Sequence, residues 1–169
     1  MKLIFLDIDG VLITLKTCKH FGVVDPECVQ QLNRITDVTG AKIVLSSCWR
    51  IGWTIHHIRE KLKEWGVTGE VISKTPVDWK KERGEEIQQW LDEYYLDNSN
   101  IEPIESIVII DDDRDMAHML PYLVHTTFTW GLTEQCADLA INYLTNTTPQ
   151  VVENSVKTVE NSTKNVSGV

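Results

Sequence analysis

The stretch that decides the fold lies at the start of the chain, where residues 3–10 read Leu-Ile-Phe-Leu-Asp-Ile-Asp-Gly. The four apolar residues predict a short buried strand, and the chain becomes acidic as soon as that strand ends. Asp7 and Asp9 are two residues apart, so both side chains can reach the same cavity beyond the strand. The stretch therefore predicts a buried strand that delivers a pair of carboxylates to a site.

Two later stretches repeat this arrangement of a short apolar strand followed by polar side chains. Residues 42–45 precede Ser46, and residues 107–110 precede Asp111 and Asp112. In an open parallel sheet, ligands bind beyond the carboxyl ends of the strands, so the three ends should converge on one site. Clustered carboxylates raise each other's pKa unless a cation lies between them, and Mg²⁺ prefers such oxygen ligands. Because bound Mg²⁺ recruits phosphoryl groups, we expect a magnesium-dependent phosphate site there.

The rest of the chain alternates between strand and helix patterns. Helices are predicted over residues 29–38, 55–65, 82–95 and 133–144, and further short strands at residues 71–72 and 124–128. This alternation predicts an α/β fold, a Rossmann-like parallel sheet flanked by helices. From about residue 145 the chain becomes rich in Asn, Thr and Ser and loses its helical period. We therefore expect a catalytic domain over residues 1–145 and a disordered tail over residues 146–169.

Composition narrows the class of protein. The formal net charge of −9 argues against non-specific coating of nucleic acid, while a local basic pocket for one phosphorylated end is compatible with it. The four cysteines lack zinc-binding spacing and fit a reducing compartment. No apolar stretch is long enough to span a membrane, and the start of the chain lacks the pattern of a signal peptide. We expect a cytoplasmic enzyme without membrane association and without an obligate protein partner.

These motifs resemble those of the haloacid dehalogenase (HAD) superfamily. Residues 7–12, Asp-Ile-Asp-Gly-Val-Leu, resemble its first signature; Leu45-Ser46 resembles the second motif, and residues 107–112 the fourth. The stretch Ser-Ser-Cys-Trp-Arg at residues 46–50, with Arg-Gly-Glu-Glu-Ile at residues 83–87 and the three aspartates from residue 111, narrows the resemblance. These stretches are similar to those of the HAD domains in multi-part RNA repair proteins and, more distantly, of polynucleotide kinase-phosphatases.

The resemblance implies the roles of the acidic residues. Asp7 would be the nucleophile that becomes phosphorylated, and Asp9 the general acid and base. Mg²⁺ would be held by Asp7, by the main-chain carbonyl of Asp9 and by Asp112, with Asp111 in support. The next two acidic residues, Asp113 and Asp115, are alternative ligands.

The resemblance also implies groups that would contact the phosphate and the rest of the substrate. Ser46 would hydrogen-bond the transferring phosphoryl group, and Ser47 would do so if the register shifts by one residue. Arg83 stands where relatives carry a lysine that neutralises the nucleophile and the phosphate, and an arginine can do so through a planar fork. Two lysines close by, Lys80 and Lys81, are alternatives for this cation. The further substrate-binding candidates are Trp49, Arg50 and Lys80.

The spacing of the motifs bears on the substrate. HAD enzymes often enclose small substrates under an inserted cap domain. Here the gaps between residues 10 and 42 and between residues 50 and 80 each hold about one helix, so no sizeable cap is expected. An open site favours a large substrate, and we expect a phosphomonoesterase acting on nucleotide or polynucleotide 3′-end phosphates. The alternatives are a 5′-nucleotidase on free nucleotides, a phosphorylatable signalling domain and a non-catalytic binding domain.

Overall fold

The computed structural model describes residues 1–96 and 102–146. Within them the strands are β1 (Lys2–Leu6), β2 (Lys42–Leu45), β3 (Val71–Lys74), β4 (Ser106–Asp111) and β5 (Leu123–His125). They form one parallel sheet in the order β3-β2-β1-β4-β5, which confirms the predicted α/β class. The strands that carry the predicted site residues, β1, β2 and β4, are therefore neighbours at the centre of the sheet.

The helices begin and end where sequence signals place them. They are α1 (Pro26–Thr39), α2 (Ile55–Glu64), α3 (Arg83–Leu96) and α4 (Glu134–Asn146), with short 3₁₀ turns at Cys48–Arg50 and Ala117–Tyr122. Asp25 caps α1 by accepting a hydrogen bond from the Glu27 N–H, and α1 ends at Gly40 with φ of 67°. Almost all of the predicted disordered tail lies outside the described residues, so the division at residue 145 stays a prediction.

The sheet is buried on both faces. Side chains such as Ile4 and Leu6 pack towards α1, α2 and α4, while Leu3 and Phe5 pack towards α3 and the second 3₁₀ turn. All four of these β1 side chains are fully buried. Continuous apolar strands are the pattern expected of a parallel sheet covered on both sides.

The loops at the carboxyl ends of the strands are free of an inserted domain. Among the described residues, turns and bends fill the segment between β1 and α1, and α2 fills the segment between β2 and β3. This confirms that there is no sizeable cap. No helix in residues 1–96 or 102–146 has the length and apolar character needed to cross a membrane.

Candidate active site

The carboxylates predicted at the ends of β1 and β4 lie together. Asp7 follows β1, Asp111 ends β4, and Asp112 comes next. Because Leu6 pairs with Ile110 across the two parallel strands, their ends deliver these side chains to one place. Oxygen atoms of the three carboxylates lie within 4.8 Å of one another. Asp7 and Asp111 are buried and Asp112 is half-buried, so three of the proposed metal ligands form one group.

Arg83 is the cation that faces this group. Its Nη1 donates a hydrogen bond to Asp7 Oδ1 over 2.6 Å and lies 3.1 Å from Asp111 Oδ2. Lys81 instead donates to a glutamine of α3, and Lys80 is exposed in the loop before α3. Of the three candidate cations, Arg83 is the one in contact with the carboxylates. The assignment of Lys80 to substrate binding stays a prediction.

A glycine allows the first turn of α3 to approach the loop after β4. Gly84 is the second residue of α3, and its N–H donates to the Asp115 carbonyl over 3.1 Å. A Cβ atom at this position would lie 1.9 Å from the Met116 carbonyl oxygen, which is a severe overlap. Glycine is unfavourable inside a helix, so its use here is explained by the close approach that brings Arg83 to the site.

Burial and mutual repulsion raise the pKa values of the clustered carboxyl groups. Burial raises the pKa of Asp7, although the charge of Arg83 and a hydrogen bond with Ser47 oppose it. The pKa of Asp111 is raised to about 8, first by burial and then by the charge of Asp7. The same two causes raise the pKa of Asp112. Burial acts to lower the pKa of Arg83, but the charges of Asp7 and Asp111 outweigh it, so the net change is upward.

This donor set fits a hard divalent cation such as Mg²⁺, which prefers carboxylate oxygens. Asp111 Oδ2 is buried and, within the described residues, accepts no well-aligned hydrogen bond, so it keeps its capacity as a ligand. Gly10 adopts φ of 72°, and a Cβ atom there would lie 2.1 Å from Asp112 Cγ. The glycine therefore keeps the space beside the Asp112 carboxylate open. Asp7, Asp111 and Asp112 would hold the ion, while the proposed main-chain ligand at Asp9 stays a prediction.

The side chain of Asp9 has a separate environment from the metal-ligand group. Its Oδ2 accepts a hydrogen bond from Trp49 Nε1 over 2.8 Å, and Cys48 Sγ lies 3.9 Å away. The half-buried Trp49 was proposed to bind substrate, and its indole N–H is engaged by Asp9 in this structure. Asp9 is therefore not a member of the group formed by Asp7, Asp111 and Asp112.

The two serines after β2 lie differently with respect to Asp7. Ser47 acts to lower the pKa of Asp7, and its Oγ accepts a hydrogen bond from the Trp49 N–H over 3.4 Å. The Ser46 hydroxyl is buried and has no hydrogen-bond partner among the residues that the structure describes. Of the two serines, Ser47, the alternative of the sequence analysis, is therefore the one that affects the proposed nucleophile Asp7. The proposed contact of Ser46 with the phosphoryl group stays a prediction.

Arg50, which the sequence analysis proposed for substrate binding, is engaged within the protein in this structure. All of its nitrogens donate to protein acceptors: the carbonyl groups of Ser46, Ser47, Thr75 and Pro76, and the carboxylate of Glu86. Its side chain and that of Glu86 are 4% and 8% exposed. A guanidinium has five N–H donors, and here each is used, so none remains for a substrate. Arg50 instead ties the loop after β2 to the loop after β3 and to α3.

Two residues that shape the site, Gly84 and Glu86, were quoted within residues 83–87 in the sequence analysis but were given no role there. Glu86 is buried in the first turn of α3, where it accepts from Arg50 and from the Asp78 N–H. For Gly84 the sequence offered a signal, because a glycine in the first turn of the helix predicted over residues 82–95 suggests a close contact. For Glu86 the signal was weaker, since acidic residues are common in first helical turns.

Comparison with known protein families finds a family whose pattern matches most of this chain. Residues 3–137 match the family described as the HAD domain in Swiss Army Knife RNA repair proteins. The matched segment runs from β1 into α4 and contains every candidate site residue named above. No curated protein and no solved structure matches the chain. Because the match covers most of its length and includes the acidic group, the chain belongs to the HAD domains of Swiss Army Knife RNA repair proteins, a family of phosphatase-type hydrolases.

Proposed function

We propose that this domain is a Mg²⁺-dependent phosphomonoesterase that works through a phosphorylated Asp7. The observation that supports this best is the buried Asp7, with Arg83 Nη1 at 2.6 Å and the carboxylates of Asp111 and Asp112 beside it. A buried carboxylate next to a cation and a metal-ligand set is suited to attack an anionic phosphoryl group. The substrate class that we propose is a nucleotide or a polynucleotide 3′-end phosphate, in keeping with the RNA repair family.

In the first half of the reaction, a carboxylate oxygen of Asp7 forms a bond to phosphorus. The bond between phosphorus and the ester oxygen breaks, and its electron pair stays on the leaving oxygen. That oxygen takes a proton from the Asp9 carboxyl group, which gives a free hydroxyl and a phosphorylated Asp7. Arg83 neutralises charge on the phosphoryl oxygens as the leaving group departs.

In the second half, Asp9 acts as a base. Its carboxylate takes a proton from water as the water oxygen bonds to phosphorus, and the bond from phosphorus to Asp7 breaks. Inorganic phosphate leaves, Asp7 is again a carboxylate, and Asp9 is again protonated. Mg²⁺, when bound by Asp7, Asp111 and Asp112, supplies positive charge that draws the phosphate in and offsets the charge of the clustered carboxylates.

The experiment that tests this proposal is phosphate release by the full chain with Mg²⁺ or with EDTA, for the wild type and Asp7→Asn. The substitution keeps the shape of the side chain and removes the nucleophile, so activity should fall by about 10³-fold or more. Asp37→Asn, which neutralises an exposed aspartate of α1, is the control and should retain activity. Equal release by the wild type and Asp7→Asn would overturn the proposal.

Mass spectrometry of the wild-type protein during turnover provides a second readout. A phosphoryl group should be found on Asp7 and disappear when the substrate is exhausted. Stable phosphorylation without release of phosphate would instead support a signalling domain of the receiver type. Efficient turnover of free 5′-nucleotides but not of 3′-phosphorylated ends would support the nucleotidase alternative.

A further inference from the structure

An exposed aromatic ring lies on the segment between β1 and α1. Phe21 is 93% exposed, although an exposed phenylalanine of this kind is unfavourable in water. Its ring stacks on Trp49, with the ring centroids 5.2 Å apart and the planes 18° from parallel. One face of Phe21 therefore rests on Trp49, and the opposite face is open to solvent and to a planar ligand.

Two further tryptophans pack against Trp49, the inner ring of the stacked pair. Trp49 meets Trp53 and Trp65 edge to face, at centroid distances of 5.7 Å and 5.3 Å. Trp65 Nε1 donates over 2.8 Å to the carbonyl of Gly22, the residue after Phe21. Trp49 and the backbone next to Phe21 are therefore held by contacts within the protein, which reduces the entropy that binding must overcome.

The pair is also connected to the proposed acid of the reaction. The same Trp49 ring that supports Phe21 donates its Nε1–H to Asp9 Oδ2 over 2.8 Å. In the proposed reaction Asp9 protonates the leaving oxygen, so the group attached to that oxygen lies on the side of Trp49. The first bulky group beyond the scissile ester would then lie on the side of the site that carries the Phe21–Trp49 pair.

Exposed cations on the surrounding loops are available to a ligand with several phosphates, although Asp113 and Asp115 beside Arg114 reduce the local positive charge. Three exposed cations, Lys19, Lys80 and Arg114, lie in loops at the carboxyl ends of β1, β3 and β4. In the described part of the chain none of the three side chains has an ion pair or a hydrogen bond. They complement an anionic strand, whereas the net charge of −9 disfavours non-specific binding.

We propose that the leaving group is the terminal nucleoside of a polynucleotide strand, and that its nucleobase stacks on the open face of Phe21. This inference rests on the proposed function, because Asp9 fixes the side on which the leaving group lies. Every nucleobase has a π-face, so the contact selects for a base without selecting which base. The exposed cations meet the phosphates that follow along the strand.

The test compares two oligonucleotides with the same terminal phosphate, one on a base-bearing nucleotide and one on an abasic residue. The wild type should prefer the base-bearing end by about tenfold in kcat/KM, the effect of one base stacked on an aromatic ring. Phe21→Tyr keeps the aromatic face and should keep the preference. Phe21→Leu keeps apolar bulk and should abolish it. Equal preference in Phe21→Leu and the wild type, or no preference in the wild type, would overturn the inference.

Binding separates this inference from the phosphatase proposal. Fluorescence anisotropy of the two ends with Asp7→Asn measures the preference without turnover. Tighter binding of the base-bearing end, lost on adding Phe21→Leu, together with no turnover by the wild type, would retain the stacking site and overturn the phosphatase. Turnover by the wild type without any preference would retain the phosphatase and overturn the stacking site. Unchanged unfolding midpoints of the Phe21 variants would exclude misfolding as a cause.

Discussion

Arg50 and Arg83 both reach the carboxyl edge of the sheet, and their side chains are only 4% and 15% exposed. Arg50 donates from all of its nitrogens to protein acceptors, including the buried Glu86. For Arg83, hydrogen bonding within the described residues is limited to Nη1 and Asp7, so its other nitrogens remain available. The comparison shows that burial alone does not mark a functional charge. Saturated donors indicate a structural arginine, and donors left free beside clustered carboxylates indicate a site.

The carboxylates beside the two arginines differ in the same way: Glu86 has all its contacts within the protein, and Asp111 has an oxygen atom without a well-aligned hydrogen bond among the described residues. Glu86 accepts from Arg50 and from the Asp78 N–H, and both contacts lie within the protein. Asp111 Oδ2 is equally enclosed but accepts no well-aligned hydrogen bond in the described part of the chain. An unsatisfied buried carboxylate is costly unless a cation compensates it. Arg50 and Glu86 therefore satisfy each other without a ligand, whereas Asp111 shares Arg83 with Asp7 and keeps an oxygen atom that a cation could bind.

The largest expected effect is a loss of stability when one partner of the Arg50–Glu86 ion pair is removed. Arg50→Ala leaves Glu86 buried and unpaired, and it should lower the free energy of unfolding by about 3–5 kcal/mol. Urea unfolding at low temperature, followed by circular dichroism, measures the loss. Arg34→Ala is the matched control, because Arg34 and Asp138 form a pair with 40% and 60% exposed side chains. That control should cost less than about 1 kcal/mol.

A second variant keeps the first prediction decisive if Arg50→Ala does not fold. Glu86→Gln removes the charge but keeps the size and an acceptor, so it should be destabilised less than Arg50→Ala. A stability of Arg50→Ala equal to that of the wild type would contradict the structural assignment. A folded Arg50 variant that loses only substrate affinity would return Arg50 to the binding site.

Substitution of Arg83 should reduce the catalytic rate more than the stability. Arg83→Gln removes the cation that would face the phosphoryl group in the proposed reaction, and kcat should fall by about 10²–10³-fold with a smaller change in stability. Steady-state kinetics with saturating Mg²⁺ measure this. Lys81→Gln is the control, because Lys81 contacts Gln89 rather than the carboxylates. Retention of wild-type kcat by Arg83→Gln would refute the assignment of the motif cation.

Removing Mg²⁺ should destabilise the protein, because the carboxylates of Asp7, Asp111 and Asp112 then repel one another. At a Mg²⁺ concentration of about 100 times Kd, the free energy of unfolding should rise by about 2.7 kcal/mol relative to EDTA. The gain should grow with pH up to about 8, because the raised pKa of Asp111 lets protons compete with the ion. Urea unfolding between pH 5 and about pH 8, with Mg²⁺ or EDTA, tests this dependence.

Without metal, the free energy of unfolding should change with pH in the opposite direction to the gain from Mg²⁺. The ordinary pKa of an aspartate is 3.8, and that of Asp111 in the folded protein is about 8. Between these values the folded state holds a proton that the unfolded state has lost, so stability in EDTA should fall as the pH rises. Asp111→Asn should flatten this dependence, and the exposed Asp37→Asn should leave it unchanged. A stability that rises across this window in EDTA would refute the assigned direction.

The sequence predicted those features that depend on local pattern. An apolar run followed by aspartates specifies β1 and β4, and parallel pairing then places Asp7 beside Asp111 and Asp112. The helix starts were equally local, because Asp25 and Pro26 form an N-terminal cap. The fold and the acidic group therefore follow from the sequence pattern alone.

What could not be predicted depends on contacts between distant segments. The role of Arg50 is decided by Glu86, 36 residues away in the chain, and by carbonyl groups of the loop after β3. The choice between Ser46 and Ser47 depends on strand register, where a shift of one residue reverses the side of the sheet. The selection of Arg83 over the neighbouring lysines depends on the contact of Gly84 with Met116, which only the folded chain shows.

The smallest expected effect concerns the link between the aromatic pair and Asp9. Trp49→Phe keeps an aromatic ring and removes the N–H that Asp9 accepts, so kcat should fall by about tenfold, the loss of one hydrogen bond to a charged group. Trp53→Phe is the control within the same aromatic cluster, because Trp53 meets Trp49 through its ring alone. Both variants require an unchanged unfolding midpoint.

The dependence on the leaving group shows whether Trp49 acts by positioning Asp9. A nitrophenolate leaves without needing a proton, whereas a nucleoside hydroxyl requires one from Asp9. Trp49→Phe should therefore slow the release of a nucleoside more than the release of nitrophenolate, with the difference in kcat rather than in KM. Equal slowing of both substrates would mean that Trp49 supports the loop without orienting Asp9. Unequal slowing would extend the contrast between Arg50 and Arg83 to the tryptophans: Trp53 supports the cluster through packing, while Trp49 also orients a reacting group.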